Sequence, residues 1–199
     1  IPVVRALAER FADRVMVSID TVKGEVARAA TAAGAGMVND VWAGHRDPDT
    51  LHAAAEAGTY MVLMHNADVA EYPRGVFDEV VDWLAAAVEA ALAAGIGRDR
   101  LIVDPGIGFG KTPEHSIELL HRLGELKRAV GGLPMLVGTS RKRFIGELLG
   151  GAPPDQRLEG TAATVSLAIA QGADIVRVHD VAPMMRTVRV SDGIVRWRG

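Results

Sequence analysis

The chain contains no cysteine among its 199 residues. This absence excludes a disulfide framework, a thiolate zinc site and a thiol nucleophile, and it is typical of a reducing compartment, so we predict a cytoplasmic protein. The chain also lacks an excess of either charge, since 22 basic and 25 acidic residues give a net charge of −3. Without a broad basic surface, nucleic acid and membrane surfaces are disfavoured as partners, and a small molecule is favoured.

Long hydrophobic runs are missing as well. No stretch approaches the roughly 18 uninterrupted apolar residues that a membrane span requires. Residues 1 to 11 have the spacing of an amphipathic helix rather than of a signal peptide, and because no capping residue precedes them we expect a chain that starts inside a longer protein. The shares of 49% hydrophobic and 24% charged residues are those of a globular protein, and we predict a single domain over residues 1 to 199.

Short apolar runs alternate with helical patterns along the chain. The runs predict strands at residues 15 to 20, 37 to 42, 59 to 65, 101 to 104, 134 to 140 and 174 to 180. Helices are predicted at residues 1 to 11, 22 to 33, 47 to 58, 76 to 94, 114 to 130, 158 to 171 and 183 to 190, with a long connection at 141 to 156. This alternation is typical of a parallel sheet. About six βα units leave two alternatives, an open doubly wound sheet or a (β/α)8 barrel that lacks two units.

The stretch LIVDPGIGFGKT, residues 101 to 112, brings a carboxylate to the end of a buried strand. Asp104 ends the apolar run, and the glycines that follow allow a positive φ or the close approach of a ligand. Thr112 and Pro113 predict the N-cap and first position of the next helix. The glycine spacing fits neither a P-loop nor a dinucleotide-binding fingerprint, so we predict that the loop serves another ligand.

Polar residues stand at every predicted strand end, where α/β proteins bind their ligands. They are Asp20, Asn39, Asp40, His65, Asp104, Thr139, Ser140, Arg177, His179 and Asp180. The acceptors Asp20, Asn39 and Asp104 suit a heterocycle with a row of N–H donors. The groups that suit a phosphate are Arg141, Lys142, Arg177 and His179. We therefore predict a pocket with an acidic side and a basic side, and a perturbed pKa for Asp104.

Simpler interpretations stay open for several of these residues. The alternative for Asp20 and for Asp180 is a helix N-cap, and the alternative for His65 is a hydrogen-bonded structural histidine. Lys111 is interpreted as a solvated loop lysine rather than a catalytic one. The six histidines show no spacing typical of a metal site, so no metal site built from protein ligands is predicted.

Short motifs along the whole chain resemble those of dihydropteroate synthase, a transferase of folate biosynthesis and the target of sulfonamides. They are SIDT at 18 to 21, ND at 39 to 40, MH at 64 to 65, DPGIGFGKT at 104 to 112, SRKRFIG at 140 to 146, EGTAA at 159 to 163 and IVRVHDV at 175 to 181. The resemblance implies a (β/α)8 barrel whose strands 3 to 8 are the ones in this chain. It implies the condensation of 6-hydroxymethyl-7,8-dihydropterin pyrophosphate with p-aminobenzoate to 7,8-dihydropteroate and pyrophosphate.

The resemblance also implies roles for individual residues. Asp20, Asp104 and Lys142 would be catalytic, with the two carboxylates stabilising a pterin cation that forms when the C–O bond breaks. The pterin would further contact Asn39, Val41, Met64, Phe109 and Gly138. Arg177 and His179 would hold the pyrophosphate, through which Mg²⁺ would mainly be bound, and Ser140 would help to seat p-aminobenzoate.

Departures from the family pattern leave other functions open. The family's first two units supply an asparagine near the metal and an arginine near the anion, and their absence predicts weak turnover by this chain alone. The family tends to dimerise, so a homodimer is expected. The alternatives are a pterin-dependent methyltransferase, which shares the barrel and the acidic pterin set, and a pterin-binding or partner subunit without catalysis.

Overall fold

The computed structural model describes residues 1 to 11 and 14 to 198. The strands are β1 (Ser18–Asp20), β2 (Met37–Asp40), β3 (Tyr60–Met64), β4 (Leu101–Asp104), β5 (Leu136–Val137) and β6 (Ile175–Val176). The helices are α1 (Pro2–Phe11), α2 (Gly24–Ala32), α3 (Asp49–Ala57), α4 (Val76–Ala93), α5 (Pro113–His121), α6 (Leu123–Ala129), α7 (Arg143–Leu148), α8 (Leu158–Ala170) and α9 (Val181–Val195). Short 3-10 turns lie at Arg98–Arg100 and Pro154–Gln156.

The strands pair in chain order. One sheet has the order β1, β2, β3, β4, and a second pair joins β5 to β6. The pairing of β2 with β1 and with β3 is parallel, and so is that of β5 with β6. Parallel neighbours that follow one another in the chain require a crossover between them, and the helices provide it. The predicted parallel arrangement is confirmed.

The described chain divides into two compact units. The first comprises residues up to 66 together with residues 82 to 103, and the second comprises residues 67 to 81 together with residues from 104 onward. In the first unit α2 packs against α3, with Ala27 and Ala30 of one and Ala53 and Ala54 of the other buried. These small side chains let the two helices approach closely. In the second unit α8 packs on α9 around a core of Val165, Ile169 and Met184.

Two predicted strands in the second unit are much shorter than expected. The runs at 134 to 140 and 174 to 180 form a ladder only over Leu136–Val137 and Ile175–Val176. One further backbone hydrogen bond joins the Arg177 N–H to the Val137 carbonyl at 3.0 Å. Two residues later the backbone N–H of His179 donates instead to the Ser140 hydroxyl at 3.2 Å. In the first unit, the strand predicted at 15 to 20 is limited to Ser18–Asp20.

Several helix bounds also differ from the sequence-based expectation. The helix predicted at 114 to 130 is two helices, α5 and α6, which meet at Arg122, where φ is −106°. The expected connection at 141 to 156 contains α7. The last helix is Val181–Val195 rather than 183 to 190. Pro183 does not prevent the earlier start, because a residue in the first helical turn has no partner in the helix for its backbone N–H, and proline lacks only that group.

The helix predicted at 47 to 58 is α3, which begins two residues after Asp47. One oxygen of the Asp47 carboxylate accepts a hydrogen bond from the backbone N–H of Asp49 at 3.1 Å. The other accepts from the backbone N–H of Gly24, the first residue of α2, at 2.7 Å. The Gly24 bond is the main cause of a lowered pKa for Asp47. One side chain therefore ties the starts of α2 and α3 together.

Among the described residues, no helix combines the length and the apolar character that crossing a membrane requires.

Candidate active site

Asp20 and Asn39 form a polar pair in the first unit. They are paired across the two strands, near the carboxyl ends of β1 and β2. The Asn39 side-chain amide donates a hydrogen bond to the Asp20 carboxylate at 2.8 Å. Asp20 is exposed, whereas Asn39 is buried. The side-chain oxygen of Asn39 accepts no hydrogen bond from any described residue. A buried acceptor without a donor costs free energy, so this oxygen is suited to an N–H group of a ligand.

The Asp40 carboxylate is bonded within the protein and is not available to a ligand. Asp40 is fully buried, and its carboxylate accepts hydrogen bonds from the backbone N–H of Trp42 at 2.8 Å, the backbone N–H of Gly44 at 2.9 Å and the Thr50 hydroxyl at 2.8 Å. With these bonds it shapes the loop after β2, where Ala43 has a φ of +47°. The structure therefore assigns Asp40 to the loop, although its strand-end position suggested a ligand contact.

The predicted apolar contacts of the first unit lie at the same edge of the sheet. The register places Asp40 opposite Leu63, so that Val41 and Met64 follow at the carboxyl ends of β2 and β3. Val41 is half-buried and Met64 is buried. His65, the next residue, is buried with its ring edge against Trp83 at 5.0 Å, and His45 stacks on the same tryptophan. These packing contacts favour the structural interpretation of His65.

Asp104 is the central acidic group of the second unit. Its side chain is buried, and one oxygen accepts a hydrogen bond from the backbone N–H of Gly106 at 2.7 Å. Burial raises its pKa to about 6, while the Gly106 bond and the positive charges of Lys111, Lys142 and Arg177 act in the opposite direction. The predicted perturbation of Asp104 is confirmed, and its main cause is loss of solvent.

Lys111 is not the solvated loop lysine that the sequence suggested. Its ammonium group donates to the Phe109 carbonyl at 3.0 Å, so the side chain folds back over its own loop. Burial lowers its pKa to about 7, Asp104 opposes this change, and Lys142 adds to it. The sequence offered only one hint, namely its place at the end of the glycine loop that begins at Asp104.

In the second unit, the Lys142 ammonium group lies over the ring of Phe109. The Lys142 ammonium nitrogen lies 3.8 Å from the centre of the Phe109 ring, a cation–π distance. Burial is the main cause of a lowered pKa for Lys142. A Cβ at Gly108, where φ is +77°, would come within 3.0 Å of the Lys142 side chain, so glycine leaves room for this contact.

The position of Lys142 is fixed by Arg157. The Arg157 guanidinium donates to the carbonyls of Arg141 at 2.8 Å, of Lys142 at 3.2 Å and of Ala152 at 2.8 Å. A Cβ at Gly146 would lie 2.4 Å from this guanidinium, so a larger residue there would displace it. Arg157, at the end of this segment, thus binds the carbonyls of Arg141 and Lys142 at its start, which closes residues 141 to 157 into a ring.

Ser140, Arg177 and His179 form the basic side of the second unit. Ser140 is buried, and its hydroxyl lies 2.9 Å from the His179 ring nitrogen Nδ1. Arg177 and His179 are themselves exposed. Gly138 is half-buried, and a Cβ at that position would make ordinary contact with the Arg177 side chain at 3.8 Å.

Arg141 was predicted to suit a phosphate, but it is paired inside the protein. Its guanidinium makes two hydrogen bonds to the Asp180 carboxylate, at 3.0 and 2.6 Å. The Arg141 bond is also the main cause of a lowered pKa for Asp180. Asp180 does hold the N-cap position of α9, but its side chain makes no capping hydrogen bond, since its carboxylate is bonded to Arg141. Asp20 does not cap α2, for which Lys23 holds the N-cap position.

Tyr72 is a contact of the glycine loop that the sequence did not reveal. Its hydroxyl donates to the Gly110 carbonyl at 2.6 Å, and its ring stands edge-on to His115 at 5.1 Å. The predicted cap of the following helix is confirmed, because the Thr112 side chain accepts from the backbone N–H of His115 at 3.2 Å. The loop from Asp104 to Thr112 is thus held at both ends and along its length.

No group of three or more His, Cys, Asp or Glu side chains in the described part of the chain could hold a metal ion. Mg²⁺ commonly keeps several waters and binds through one or two carboxylates and substrate phosphates. The described residues therefore do not fit a magnesium site built from protein ligands alone.

The model of a family described as "Pterin binding enzyme" matches residues 1–179. The chain is 43% identical over 204 aligned residues to dihydropteroate synthase of Synechocystis sp., an alignment that covers all of this chain and 68% of that protein. The chain belongs to the dihydropteroate synthase family.

Solved structures agree with this membership. A dihydropteroate synthase from Clostridium difficile, crystallised in the presence of pteroic acid, matches with a TM-score of 0.93 and 40% identity, over 98% of this chain and 73% of that one. The Xanthomonas albilineans dihydropteroate synthase with 4-aminobenzoic acid matches with a TM-score of 0.91 and 43% identity, over 99% of this chain and 70% of that one. The predicted fold class, that of the (β/α)8 barrel family, is confirmed.

Proposed function

We propose that this protein condenses 6-hydroxymethyl-7,8-dihydropterin pyrophosphate with p-aminobenzoate, giving 7,8-dihydropteroate and pyrophosphate in folate biosynthesis. The observation that carries the proposal is identity of about 40% with dihydropteroate synthases across the whole chain. The solved relative that holds 4-aminobenzoic acid supports the choice of acceptor. The family model extends over both compact units, which supports one domain over residues 1 to 199. The lack of cysteine favours the cytoplasm as its location.

The pterin is assigned to the carboxylates and the amide described above. Asn39 has an unsatisfied buried oxygen, and Asp20 is its hydrogen-bond partner. Asp104 is a buried acceptor whose charge is supported by nearby cations. Val41, Met64, Phe109 and Gly138 are assigned to the faces of the ring. A heterocycle with several N–H groups along one edge would give these acceptors the donors they need.

The raised pKa of Asp104 sets a direction for the pH dependence. Between the ordinary value of 3.8 and the folded value of about 6, the folded protein holds a proton that the unfolded chain has lost. This group therefore makes stability fall as pH rises through that window. Dihydropterin needs the ionised acceptor, so its affinity is expected to fall below pH 6.

The pyrophosphate is assigned to Arg177 and His179, and the carboxylate of p-aminobenzoate to Ser140. Arginine and protonated histidine bind phosphate oxygens through charge-assisted hydrogen bonds. Because Ser140 bonds to His179, the group assigned to one substrate is in contact with the group assigned to the other. Mg²⁺ is assigned mainly to the pyrophosphate oxygens, and when bound it would neutralise charge on them.

The reaction breaks the C–O bond to the pyrophosphate and forms a C–N bond to the amine, which loses a proton. Positive charge develops on the pterin as the C–O bond breaks, and negative charge develops on the leaving group. We assign stabilisation of the first to Asp20 and Asp104 and of the second to Arg177 and His179, so that catalysis would be mainly electrostatic. Lys142, above the Phe109 ring, is assigned to the polar edge of the pterin.

The proposal is tested by calorimetric titration of this chain with the dihydropterin pyrophosphate, followed by addition of p-aminobenzoate. We expect a dissociation constant on the order of micromolar, and pyrophosphate release that requires both substrates. Binding without release would favour a pterin-binding subunit, and methyl transfer from a methylated pterin to a corrinoid would favour a methyltransferase. A folded chain that binds no dihydropterin would contradict the assignment.

We also propose that the protein forms a homodimer through the outer face of α8 and α9. The hydrogen bond between Ser166 and Ser191, at 2.9 Å, joins the two helices next to Leu167 and Val190. Leu167 and Val190 are 65% and 64% exposed, and Ile194 on the same helix as Val190 is 72% exposed. Large exposed apolar side chains on packed helices are typical of an interface with a partner.

Leu167→Glu is expected to raise the dimer dissociation constant by about 100-fold or more. In a twofold interface the substitution occurs twice, and each copy buries an unpaired charge. The measurement is sedimentation equilibrium over a range of concentrations. Val69→Glu is the matched control, because Val69 is 60% exposed in a loop outside α8 and α9. A Leu167→Glu protein that dimerises like the parent would refute the choice of surface.

A further inference from the structure

Lys111 has a position in the second unit that none of the roles assigned above explains. It ends the glycine loop that begins after Asp104, and its ammonium group donates to the carbonyl of Phe109 at 3.0 Å. The next residue, Thr112, already caps α5. A long, strongly hydrated side chain is thus folded inward at a place where the chain could have extended it into solvent.

The charged groups that face Asp104 come from three places in the chain. They are Lys111 at the end of the glycine loop, Lys142 at the start of α7 and Arg177 after β6. The groups that face Lys111 are Asp104, with opposite charge, and Lys142, with like charge. Lys142 also lies over the Phe109 ring, and Arg177 is exposed. Lys111 therefore lies within a cluster of one acid and several cations.

The two hydrogen bonds along the glycine loop act on adjacent carbonyls. Lys111 holds the carbonyl of Phe109, and Tyr72 holds the carbonyl of Gly110. Phe109 presents its ring to Lys142 at 3.8 Å. Because a peptide carbonyl and the side chain of the same residue share one Cα, fixing the Phe109 carbonyl restrains the direction of its ring.

We propose that Lys111 is a positioning residue for dihydropterin binding, which favours the ionised form of Asp104 by its charge and holds the loop that carries Phe109. This inference rests on the proposed function, because Asp104 and Phe109 are the groups through which Lys111 acts on the ligand. Its charge matters most in mildly acidic solution. There the lysine, with a pKa of about 7, is protonated while Asp104, with a pKa of about 6, is only partly ionised.

The first experiment is calorimetric titration with the dihydropterin at pH 6 and at pH 8.5, using the parent chain and Lys111→Met. Loss of an adjacent cation raises the pKa of a carboxyl by about one unit or more. At pH 6 that lowers the ionised fraction from about one half to about one tenth, which by itself weakens binding about fivefold. At pH 8.5 Lys111 is neutral and Asp104 is ionised in both proteins, so we expect only a loss of about twofold, from the missing hydrogen bond to the Phe109 carbonyl.

The controls separate the charge of Lys111 from its bulk. Lys111→Arg keeps the charge and is expected to restore the affinity at pH 6. Lys23→Met removes an exposed lysine at the N-cap position of α2 and is expected to change nothing. Equal losses at both pH values, or no loss at either, would overturn the proposal.

A second measurement tests Lys111 without any ligand. The side-chain carboxyl of Asp104 is titrated by ¹³C nuclear magnetic resonance in the parent and in Lys111→Met, with Asp104→Asn identifying the signal. We expect the midpoint to rise in Lys111→Met, and an unchanged midpoint would overturn the proposal. A chain that binds no dihydropterin but shows the raised midpoint would refute the proposed function while supporting the action of Lys111 on Asp104.

Discussion

Asp104→Asn is expected to weaken dihydropterin binding by about 100-fold or more. Hydrogen bonds to a charged group contribute about 1.5 to 3 kcal/mol each, and the amide keeps the shape of the carboxyl but loses the charge and one acceptor. The positive charges of Lys111, Lys142 and Arg177 would also lose the carboxylate that they face. The measurement is calorimetric titration at pH 7.5. An affinity within about fivefold of the parent would contradict the role of Asp104.

The Asp104→Asn protein is expected to remain folded, which makes the binding result interpretable. Its amide oxygen can still accept the hydrogen bond that the Gly106 N–H now gives to the carboxylate at 2.7 Å. Asp99→Asn is the matched control, since Asp99 is an exposed acid in the 3-10 turn before β4. The pH dependence gives a second check, because the affinity of Asp104→Asn should no longer fall as pH drops below 6.

Gly110→Ala is expected to lower the free energy of unfolding by about 3 kcal/mol. An alanine in the left-handed region costs roughly 1 to 2 kcal/mol, and Gly110 has a φ of +52°. In addition, its Cβ would lie 2.3 Å from the backbone carbonyl oxygen of Ala67, which is not a flexible group. The remainder of the loss comes from the backbone shift that relieves this contact. Urea denaturation measures the effect.

Gly132→Ala separates the two causes of this loss. Gly132 has a φ of +68°, and nothing lies within 4 Å of the position of its Cβ, so only the conformational cost of about 1 kcal/mol applies. Equal losses for the two variants would mean that the contact with Ala67 does not constrain the loop. A larger loss for Gly110→Ala should come with weaker dihydropterin binding, because Phe109 and Lys111 flank the displaced residue.

The parts of the fold that follow from local chemistry were predictable from the sequence. The alternation of apolar strands with helices gave the parallel arrangement, and Thr112 with Pro113 gave the start of α5, because capping depends on residues only three positions apart. Burial of Asp104 was predictable too, since Asp104 is the last residue of an apolar run and a glycine-rich loop follows it. Family motifs then connected these elements to pterin chemistry.

The parts that depend on distant residues were not predictable. Arg141 looked like a phosphate ligand, but its partner Asp180 lies 39 residues further along the chain. Lys111 was expected to be solvated, but it is desolvated because its side chain folds back over its own loop. The pattern of residue types along the chain does not indicate such a fold. The ladders of β5 and β6 were overestimated for the same reason, since the Ser140 hydroxyl takes the N–H of His179.

The ring that Arg157 closes over residues 141 to 157 separates a part of the chain that can vary from a part that cannot. Its base, at Arg141 and Lys142, is fixed by the guanidinium, whereas a Cβ at Gly150 or Gly151 would meet nothing within 4 Å. The tip is constrained in its backbone, because Gly150 and Gly151 have φ values of +69° and +96° and the Ala152 carbonyl is held by Arg157. We therefore expect orthologues to diverge at exposed side chains of this segment, such as Leu149 and Asp155, while the backbone at Lys142 stays the same.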